Sequence, residues 1–373
     1  MQGAGERNKG NENHSVTGRT RCTKPLLLCA ALAILILSAG CRAGYLLHAA
    51  AGQMHLLSNA VPIEKAISGS SLDSSQRERL LLVSQIKAFG EKKLGLRETR
   101  NYETIYLGSD QPPIYTVAAA PKDRLTLVTW WFPVVGRMPY LGFFALDEAR
   151  REKLELLEKN LDVVIGRADA YSTLGWFRDP LTLNLLDGST LDLVETVLHE
   201  MTHATLFIKG QGRFNEGLAQ IVGKRGALQF LEETYGSSHP LTLEAMAAIE
   251  DERLFASFLA SVIEKLNRLY TSSLSLEEKL EEREKIFLGF LGEFEDLKAN
   301  LKTERFLQFG RAPLNNAYLM AFSLYHCSYP VFEAALERHG NSIPEMLSFF
   351  RELSRETGDL LERTGKWLES RHP

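Results

Sequence analysis

The chain has 373 residues, of which 45% are hydrophobic and 24% charged, and its formal net charge is −4 at pH 7. This length and apolar content suffice for one large globular domain or two modest ones. The acidic balance gives no sign of a nucleic-acid-binding surface, so no nucleic-acid partner is expected. Glycine-rich phosphate loops of the G-x-G-x-x-G and G-x-x-x-x-G-K-[ST] types are absent from the sequence.

Residues 1–40 have the composition of an export leader. A polar and basic stretch, 1–24, precedes an unbroken apolar run at 26–37 that is too short for a comfortable membrane span. The small residues that follow end at Cys41 and look like a lipobox, where a leader is removed and the cysteine acylated, although Ser38 stands where Leu is usual. We therefore expect a signal peptide, lipidation at Cys41, and a protein anchored at a bacterial envelope membrane and facing the periplasm. An uncleaved N-terminal anchor is the alternative.

Hydrophobic periodicity divides the rest of the chain into three parts. Residues 41–110 are expected to be helical, with one helix over 45–57. Residues 111–235 mix β-type runs with helices and are expected to form a catalytic core, whereas 236–373 is almost all helical. We therefore predict an α+β fold that is mostly helical.

Several runs in the central part are rich in Val, Ile, Thr and aromatic residues, which favours strands. The predicted strands lie at 113–119, 125–132, 140–144 and 163–168. A turn is expected at 136–139. The charged segment 145–160 predicts an amphipathic helix whose Leu154 and Leu157 face inward.

The segment 191–223 carries the strongest functional pattern. His199, Glu200 and His203 spell H-E-x-x-H, and neither Pro nor Gly interrupts the apolar periodicity before Gly210. Residues four apart lie on one helical face, so both imidazoles can bind one ion at about 2.0–2.1 Å. The glutamate between them can take a proton from a zinc-bound water.

A second motif follows the first at short range. Glu216 lies within Asn-Glu-Gly-Leu-Ala on a predicted short helix, 214–222, and can close back on the ion as a third protein ligand. A fourth position then stays open for water, as in catalytic rather than structural zinc. H-E-x-x-H alone also arises by chance or as a satisfied pair of core histidines, but two motifs at this separation favour one catalytic Zn²⁺ per chain.

These motifs resemble those of the bacterial family of putative aminopeptidases, zinc peptidases with a lipoprotein-like leader. The resemblance is also carried by Ala170-Tyr-Ser-Thr-Leu-Gly-Trp-Phe177, Asp179-Pro180-Leu181, Gly136-Arg-Met-Pro-Tyr-Leu-Gly-Phe-Phe144 and Leu314-Asn-Asn-Ala317. The zinc motifs are similar to those of glutamate-type zincins as well, and this resemblance implies a zincin-like core in which a small sheet packs on the H-E-x-x-H helix. The resemblance implies that His199, His203 and Glu216 are the ligands and that Glu200 is the general base.

The segment 170–177 occupies the position of the zincin edge strand with which an extended substrate pairs. Tyr171, Ser172 and Gly175 are therefore candidate substrate-binding residues, although the aromatic residues here can equally be core. Aminopeptidases of this kind carry an acidic residue on that strand to hold the free amine, and this segment has none before Asp179. The residues themselves thus support a peptidase, and aminopeptidase specificity rests on the resemblance.

The C-terminal part offers three candidate donors to the oxyanion of peptide attack, namely Tyr318, Tyr325 and His326. The sequence does not choose among them, and core packing is the alternative for each. Helices are expected at 225–235, 241–269, 276–302 and 315–326, with one or two more over 344–368.

The sequence therefore predicts a membrane-anchored, zinc-dependent peptidase whose partners are a peptide substrate and the membrane. One rival interpretation is an envelope binding or assembly protein that keeps zinc without turnover. Another is a zinc hydrolase that acts on a non-peptide amide. No pattern indicates an oligomeric state.

Overall fold

The computed structural model describes residues 43–108, 114–132, 135–168 and 178–370. Helices account for most of them. The first six are α1 (Ala43–Asn59), α2 (Ile63–Ser68), α3 (Ser74–Lys93), α4 (Leu146–Glu158), α5 (Leu183–Asp187) and α6 (Thr190–Thr205). The others are α7 (Gly212–Tyr235), α8 (Pro240–Tyr270), α9 (Leu276–Lys298), α10 (Asn316–His326), α11 (Tyr329–Arg338), α12 (Ile343–Leu353) and α13 (Leu360–Glu369).

The strands are short and form three separate sheets. They are β1 (Ala60–Pro62), β2 (Thr104–Tyr106), β3 (Ile114–Pro121), β4 (Trp130–Phe132), β5 (Gly136–Met138), β6 (Leu141–Phe143), β7 (Leu161–Ala168) and β8 (Leu181–Thr182). The sheet orders are β1-β2-β8, β6-β3-β7 and β4-β5. All pairs are antiparallel except β2 with β8. This architecture confirms the predicted α+β, mostly helical class.

The strand predictions were correct for β3, β6 and β7 and wrong around β4. Residues 125–129 run beside β3 with a backbone hydrogen bond from Val128 to Ala119 but form no strand. The predicted turn at 136–139 is instead strand β5, which pairs with β4 through Phe132 and Gly136. Gly136 has a φ of 82°, a conformation that glycine adopts without steric cost.

Helix α4 turns a different face inward from the one predicted. Ala149 and Leu156 are buried, whereas Leu154 is 61% and Leu157 43% exposed. Residues seven apart share one helical face, and the face through Ala149 and Leu156 is the one that packs on β3 and β7. The expectation that Leu154 and Leu157 point inward was therefore wrong.

Two hydrophobic clusters organise the molecule from Gly52 onward. The first joins α3, α6 and α7 to α11 and α12, and it includes Ile105 and Leu181 of the small β1-β2-β8 sheet. The second is rich in phenylalanine, among them Phe255, Phe290 and Phe294, and joins α8, α9 and α10. The β6-β3-β7 sheet packs mainly on α4 and α10. The β1-β2-β8 sheet therefore shares a hydrophobic cluster with α6, the helix that carries H-E-x-x-H.

Helix α7 runs unbroken through Gly223, where the sequence predicted two pieces. A Cβ atom at Gly223 would lie 2.9 Å from the carbonyl oxygen of Glu195 on α6. The glycine therefore allows close approach of the two helices and does not end one. The sequence also missed α11. The segment 344–368, expected to hold one or two helices, holds two, α12 and α13.

No helix in the described part of the chain has both the length and the apolar content to cross a bilayer. The predicted leader and Cys41 lie outside the described residues, as does the predicted substrate strand with Tyr171, Ser172 and Gly175. The predicted domain boundaries at 41, 111 and 236 stay predictions.

Candidate metal centre

The two histidines of H-E-x-x-H lie on α6, as the sequence predicted. Ser189 caps this helix by accepting a hydrogen bond from the backbone of Asp192, whose negative charge suits the first turn. The Nε2 atoms of His199 and His203 lie 3.1 Å apart, with the ring planes nearly perpendicular. Both imidazoles therefore present a nitrogen to one point.

Glu216 reaches the same point from the first turns of α7. Its Oε2 atom lies 3.4 Å from the Nε2 atom of each histidine. The side chain of the preceding residue, Asn215, accepts a hydrogen bond from the N–H of Ile208 and donates one to its carbonyl, which fixes the turn between the helices. A Cβ atom on Gly217 would clash with the ring of Phe332 at 2.4 Å. The Asn-Glu-Gly motif is thus explained residue by residue.

The spacing of these three donor atoms fits one tetrahedral ion. Two ligands bound at about 2.0–2.1 Å to a tetrahedral zinc stand about 3.4 Å apart. The observed separations of 3.1, 3.4 and 3.4 Å match this value closely. Within the described residues, His199, His203 and Glu216 form the group of side chains that could hold a metal ion.

The second nitrogen of His203 departs from the usual arrangement. In metal centres this nitrogen generally donates to a carboxylate or carbonyl group. Here Nδ1 of His203 is buried and finds no hydrogen-bond partner in the described part of the chain. Packing, including the edge of Phe207 at 6.3 Å between ring centroids, holds the ring instead.

In the metal-free protein, the opposite charges of Glu216 and the histidines stabilise each other. Burial alone would raise the pKa of Glu216, but the two imidazoles beside it lower that pKa to about 2. Burial likewise opposes protonation of His203, yet the Glu216 carboxylate outweighs it and raises the pKa of the imidazole. A carboxylate that stays ionised is what a divalent cation requires of its ligand.

Glu200 lies on α6 directly after His199 and is 9% exposed. Its carboxylate contributes to the raised pKa values of His203, Tyr325 and Tyr102, so its charge lies close to all three side chains. A carboxylate whose charge acts on the centre and on two phenols can exchange protons with a group bound there.

Of the three candidate oxyanion donors, the structure brings Tyr325 to the centre. Its ring stacks on His199 with centroids 6.4 Å apart, and its hydroxyl is hydrogen-bonded to Tyr140. Burial, followed by the charge of Glu216, raises the pKa of this hydroxyl well above its ordinary value. The phenol therefore stays protonated and able to donate.

The other two candidates are engaged elsewhere. The hydroxyl of Tyr318 accepts a hydrogen bond from the backbone of Gly310 and lies in the phenylalanine-rich cluster. The Nδ1 atom of His326 lies 2.6 Å from Glu252, and its ring packs against Phe255. Neither has the position of Tyr325.

A group of charged side chains, most of them buried, joins the helices that carry the centre. Its members are Asp192, Glu195, Lys224, Glu252, Arg305 and His326, called here the Lys224 charge group. The Lys224 ammonium, 1% exposed, lies 3.4 Å from Glu195 and 3.3 Å from Glu252. Burial raises the pKa of Glu252, but His326 and Lys224 lower it to about 2. The group thus connects α6, α7, α8 and α10 through short contacts between acidic and basic side chains.

Sequence reasoning missed Tyr102, Tyr140 and the Lys224 charge group. Tyr140 lies within a segment that carries the family resemblance, which was a usable signal. Tyr102 and Lys224 lie in no motif, and only the fold brings them near the centre. Of the other histidines, His55 has a structural partner, since its Nε2 atom lies 2.9 Å from the hydroxyl of Tyr106.

Fold and centre together define a mostly helical α+β protein with a candidate metal centre of two histidines and one glutamate. The chain belongs to the family described as "Putative aminopeptidase", whose model matches residues 44–364. That description indicates a hydrolase of the peptidase type. No curated protein and no solved structure matched the chain.

Proposed function

We propose that the protein is a zinc-dependent peptidase in which His199, His203 and Glu216 hold the ion and Glu200 is the general base. The observation that carries the proposal is the convergence of the three donor atoms at tetrahedral spacing. Two imidazoles and one carboxylate form the donor set of catalytic zinc, which leaves a coordination position open. Thiolate ligands, typical of structural zinc, are not part of this group.

The chemistry divides among few side chains. Bound zinc would lower the pKa of a water molecule and polarise the peptide carbonyl. Glu200 takes the proton from the attacking water and passes it to the leaving amine. Tyr325 donates a hydrogen bond to the carbonyl oxygen as negative charge develops on it. Tyr140, hydrogen-bonded to Tyr325, orients that hydroxyl.

We expect Glu200→Gln to abolish most activity while leaving the metal in place. Glu200 is not among the ligating group, and the loss of a general base typically costs about 10²–10⁴-fold in rate. The test is a peptide library assayed with both proteins in the presence of zinc, together with metal analysis of each. His203→Ala is the matched variant that should lose the metal as well.

Two results would contradict this proposal. One is cleavage by Glu200→Gln at the wild-type rate. The other is no cleavage of any peptide by the zinc-loaded wild-type protein, which would favour a zinc-binding envelope protein without turnover. Hydrolysis restricted to non-peptide amides would support the rival hydrolase.

Aminopeptidase specificity is the finer part of the proposal, and it rests on the family. The predicted substrate strand at 170–177 lies outside the described residues, so the residues that would hold a free amine are not assigned. Peptides with free and with blocked N-termini separate the alternatives. Exclusive cleavage of free N-termini supports an aminopeptidase, whereas cleavage of blocked peptides supports an endopeptidase.

We further propose that Cys41 is acylated and holds the protein at the bacterial envelope, facing the periplasm. This proposal is supported by the apolar run at 26–37 and the small residues before the cysteine. Labelling with a fatty-acid analogue and membrane fractionation test it, with Cys41→Ser as the variant. An unlabelled wild-type protein would exclude lipidation.

A further inference from the structure

Tyr102 has an unusual backbone conformation for a buried aromatic residue. Its φ is 62°, in the left-handed region, and its side chain is 4% exposed. The other non-glycine residues with positive φ in the described ranges are Asn160 and Asn341, and asparagine tolerates this conformation. For tyrosine it costs about 1–3 kcal/mol, and such strain clusters at functional sites.

Hydrogen bonds on both sides hold the strained residue in place. The N–H of Tyr102 donates to the carbonyl of Asp179 at 2.8 Å, and the N–H of Asp179 donates to the side chain of Asn101. The ammonium of Lys87 donates to the carbonyls of Thr99 and Asn101, each at 2.8 Å. The fold therefore imposes the orientation of the tyrosine ring.

The hydroxyl of Tyr102 is buried and has no hydrogen-bond partner in the described part of the chain. A buried polar group left unpaired costs about 1–3 kcal/mol, which a phenylalanine here would avoid. Burial raises the pKa of this hydroxyl well above its ordinary value, and the charges of Glu200 and Asp179 raise it further. A neutral phenol with an unmet hydrogen bond therefore lies within the electrostatic influence of the proposed general base.

We propose that Tyr102 contacts the substrate, with its hydroxyl accepting a hydrogen bond from an N–H group of the peptide bound beside Glu200. The charged neighbours of the hydroxyl are carboxylates, which favour an N–H group over a carbonyl in this place. A phenol can accept from that group while its own proton points towards a carboxylate. The inference rests on the proposed peptidase function and adds a residue from the N-terminal part of the chain.

The test measures peptide binding apart from turnover. Glu200→Gln and the double variant Glu200→Gln/Tyr102→Phe are titrated, zinc-loaded, with a fixed set of fluorescent peptides having free and blocked N-termini. We expect the double variant to bind about three- to tenfold more weakly, the value of one hydrogen bond to an uncharged partner. Zinc content should be unchanged, and resistance to urea equal or higher because the unpaired hydroxyl is gone.

Tyr329→Phe is the matched control. The Tyr329 hydroxyl is also buried without a hydrogen-bond partner in the described part of the chain. Its charged neighbours do not include Glu200 and are instead Glu333, Glu252, Arg225 and Arg253. We expect this change to affect urea resistance as Tyr102→Phe does and to leave peptide affinity and kcat/KM unaltered. A purely structural role for Tyr102 predicts the same result for both variants.

Equal peptide affinity with and without the Tyr102 hydroxyl would overturn the inference, and so would a failure of both variants to bind any peptide. Peptides methylated at one backbone nitrogen at a time identify the N–H group. For one position the effect of Tyr102→Phe should vanish, and an equal effect at every position would exclude the N–H contact. Turnover by the wild-type protein tests the peptidase proposal separately, because binding and cleavage are measured independently.

Discussion

Glu216 and His203 form an ion pair that does not need the metal. In the metal-free protein the pKa of Glu216 is lowered from 4.5 to about 2, and the pKa of His203 is raised above 6.5. The carboxylate stabilises the fold above pH 4.5 and loses that contribution as the pH falls towards 2. The imidazolium stabilises it below pH 6.5 and loses its contribution as the pH rises through the raised pKa.

We therefore expect the pair to contribute most to the stability of the metal-free protein between about pH 4.5 and 6.5. Its contribution is on the order of 3–4 kcal/mol, since the pKa of Glu216 falls from 4.5 to about 2 and one pKa unit corresponds to about 1.4 kcal/mol. Urea unfolding in the presence of a chelator, repeated across pH, measures it. In Glu216→Gln this part of the pH dependence should disappear, and an unchanged profile in that variant would refute the assignment.

At the scale of single residues, the sequence predicted those site residues that lie close to one another along the chain. His199, Glu200 and His203 are one helical turn apart, so a helix alone places them together. Tyr325 was one of three equal candidates because its distance from His199 depends on how α10 packs. Tyr102 gave no signal at all, since a left-handed tyrosine results from its neighbours and not from its own preference.

Among the elements, the approach of α6 to α7 decides whether Glu216 reaches the histidines. Periodicity predicted both helices but treated Gly223 as a break, because a pattern along one helix carries no information on its neighbour. At Gly223 any side chain would meet the main chain of Glu195, which cannot move as a flexible side chain does. The error on α4 has the same cause, because the face that is buried depends on how the helix packs against β3 and β7.

We expect Gly223→Ala to separate α6 from α7 and to weaken zinc binding. The new Cβ atom, at 2.9 Å from the Glu195 carbonyl oxygen, must push the two helices apart. Overpacking of this kind typically costs about 1–3 kcal/mol. Chelator competition and urea unfolding measure the two effects.

Gly289→Ala on α9 is the matched control, since its Cβ atom would meet nothing within 4 Å. Alanine in an exposed helical position should stabilise the protein by about 0.5–1 kcal/mol and leave the zinc affinity unaltered. Equal zinc affinity in Gly223→Ala would mean that the helix spacing is not critical for the centre.

Across the whole molecule, the Lys224 charge group links both hydrophobic clusters to the metal centre. Glu195 lies one turn before His199 on α6, Lys224 lies on the helix of Glu216, and His326 follows Tyr325 on α10. Buried ion pairs contribute little net stability but fix the geometry of the elements that carry them. No sequence pattern could reveal this group, because its members are spread over more than a hundred residues of chain.

We expect Lys224→Met to destabilise the protein by about 3–5 kcal/mol, since it leaves buried carboxylates without their cation. It should also weaken zinc binding, because α6 and α7 lose their shared contact. Arg283→Met, which breaks the comparably buried pair with Asp162 outside this group, is the control. That variant should lose stability but keep its zinc affinity. Equal zinc affinity in both variants would show that the Lys224 charge group does not influence metal binding.

The contact of Phe214, two residues before Glu216, with Phe332 and Phe350 has a consequence for biosynthesis. During translation, His199, His203 and Glu216 leave the ribosome well before α11 and α12 do. The nascent chain then contains both motifs but lacks the phenylalanine contacts that support the segment of Glu216. If the protein is the peptidase proposed above, its third ligand gains its full support only when translation is nearly finished.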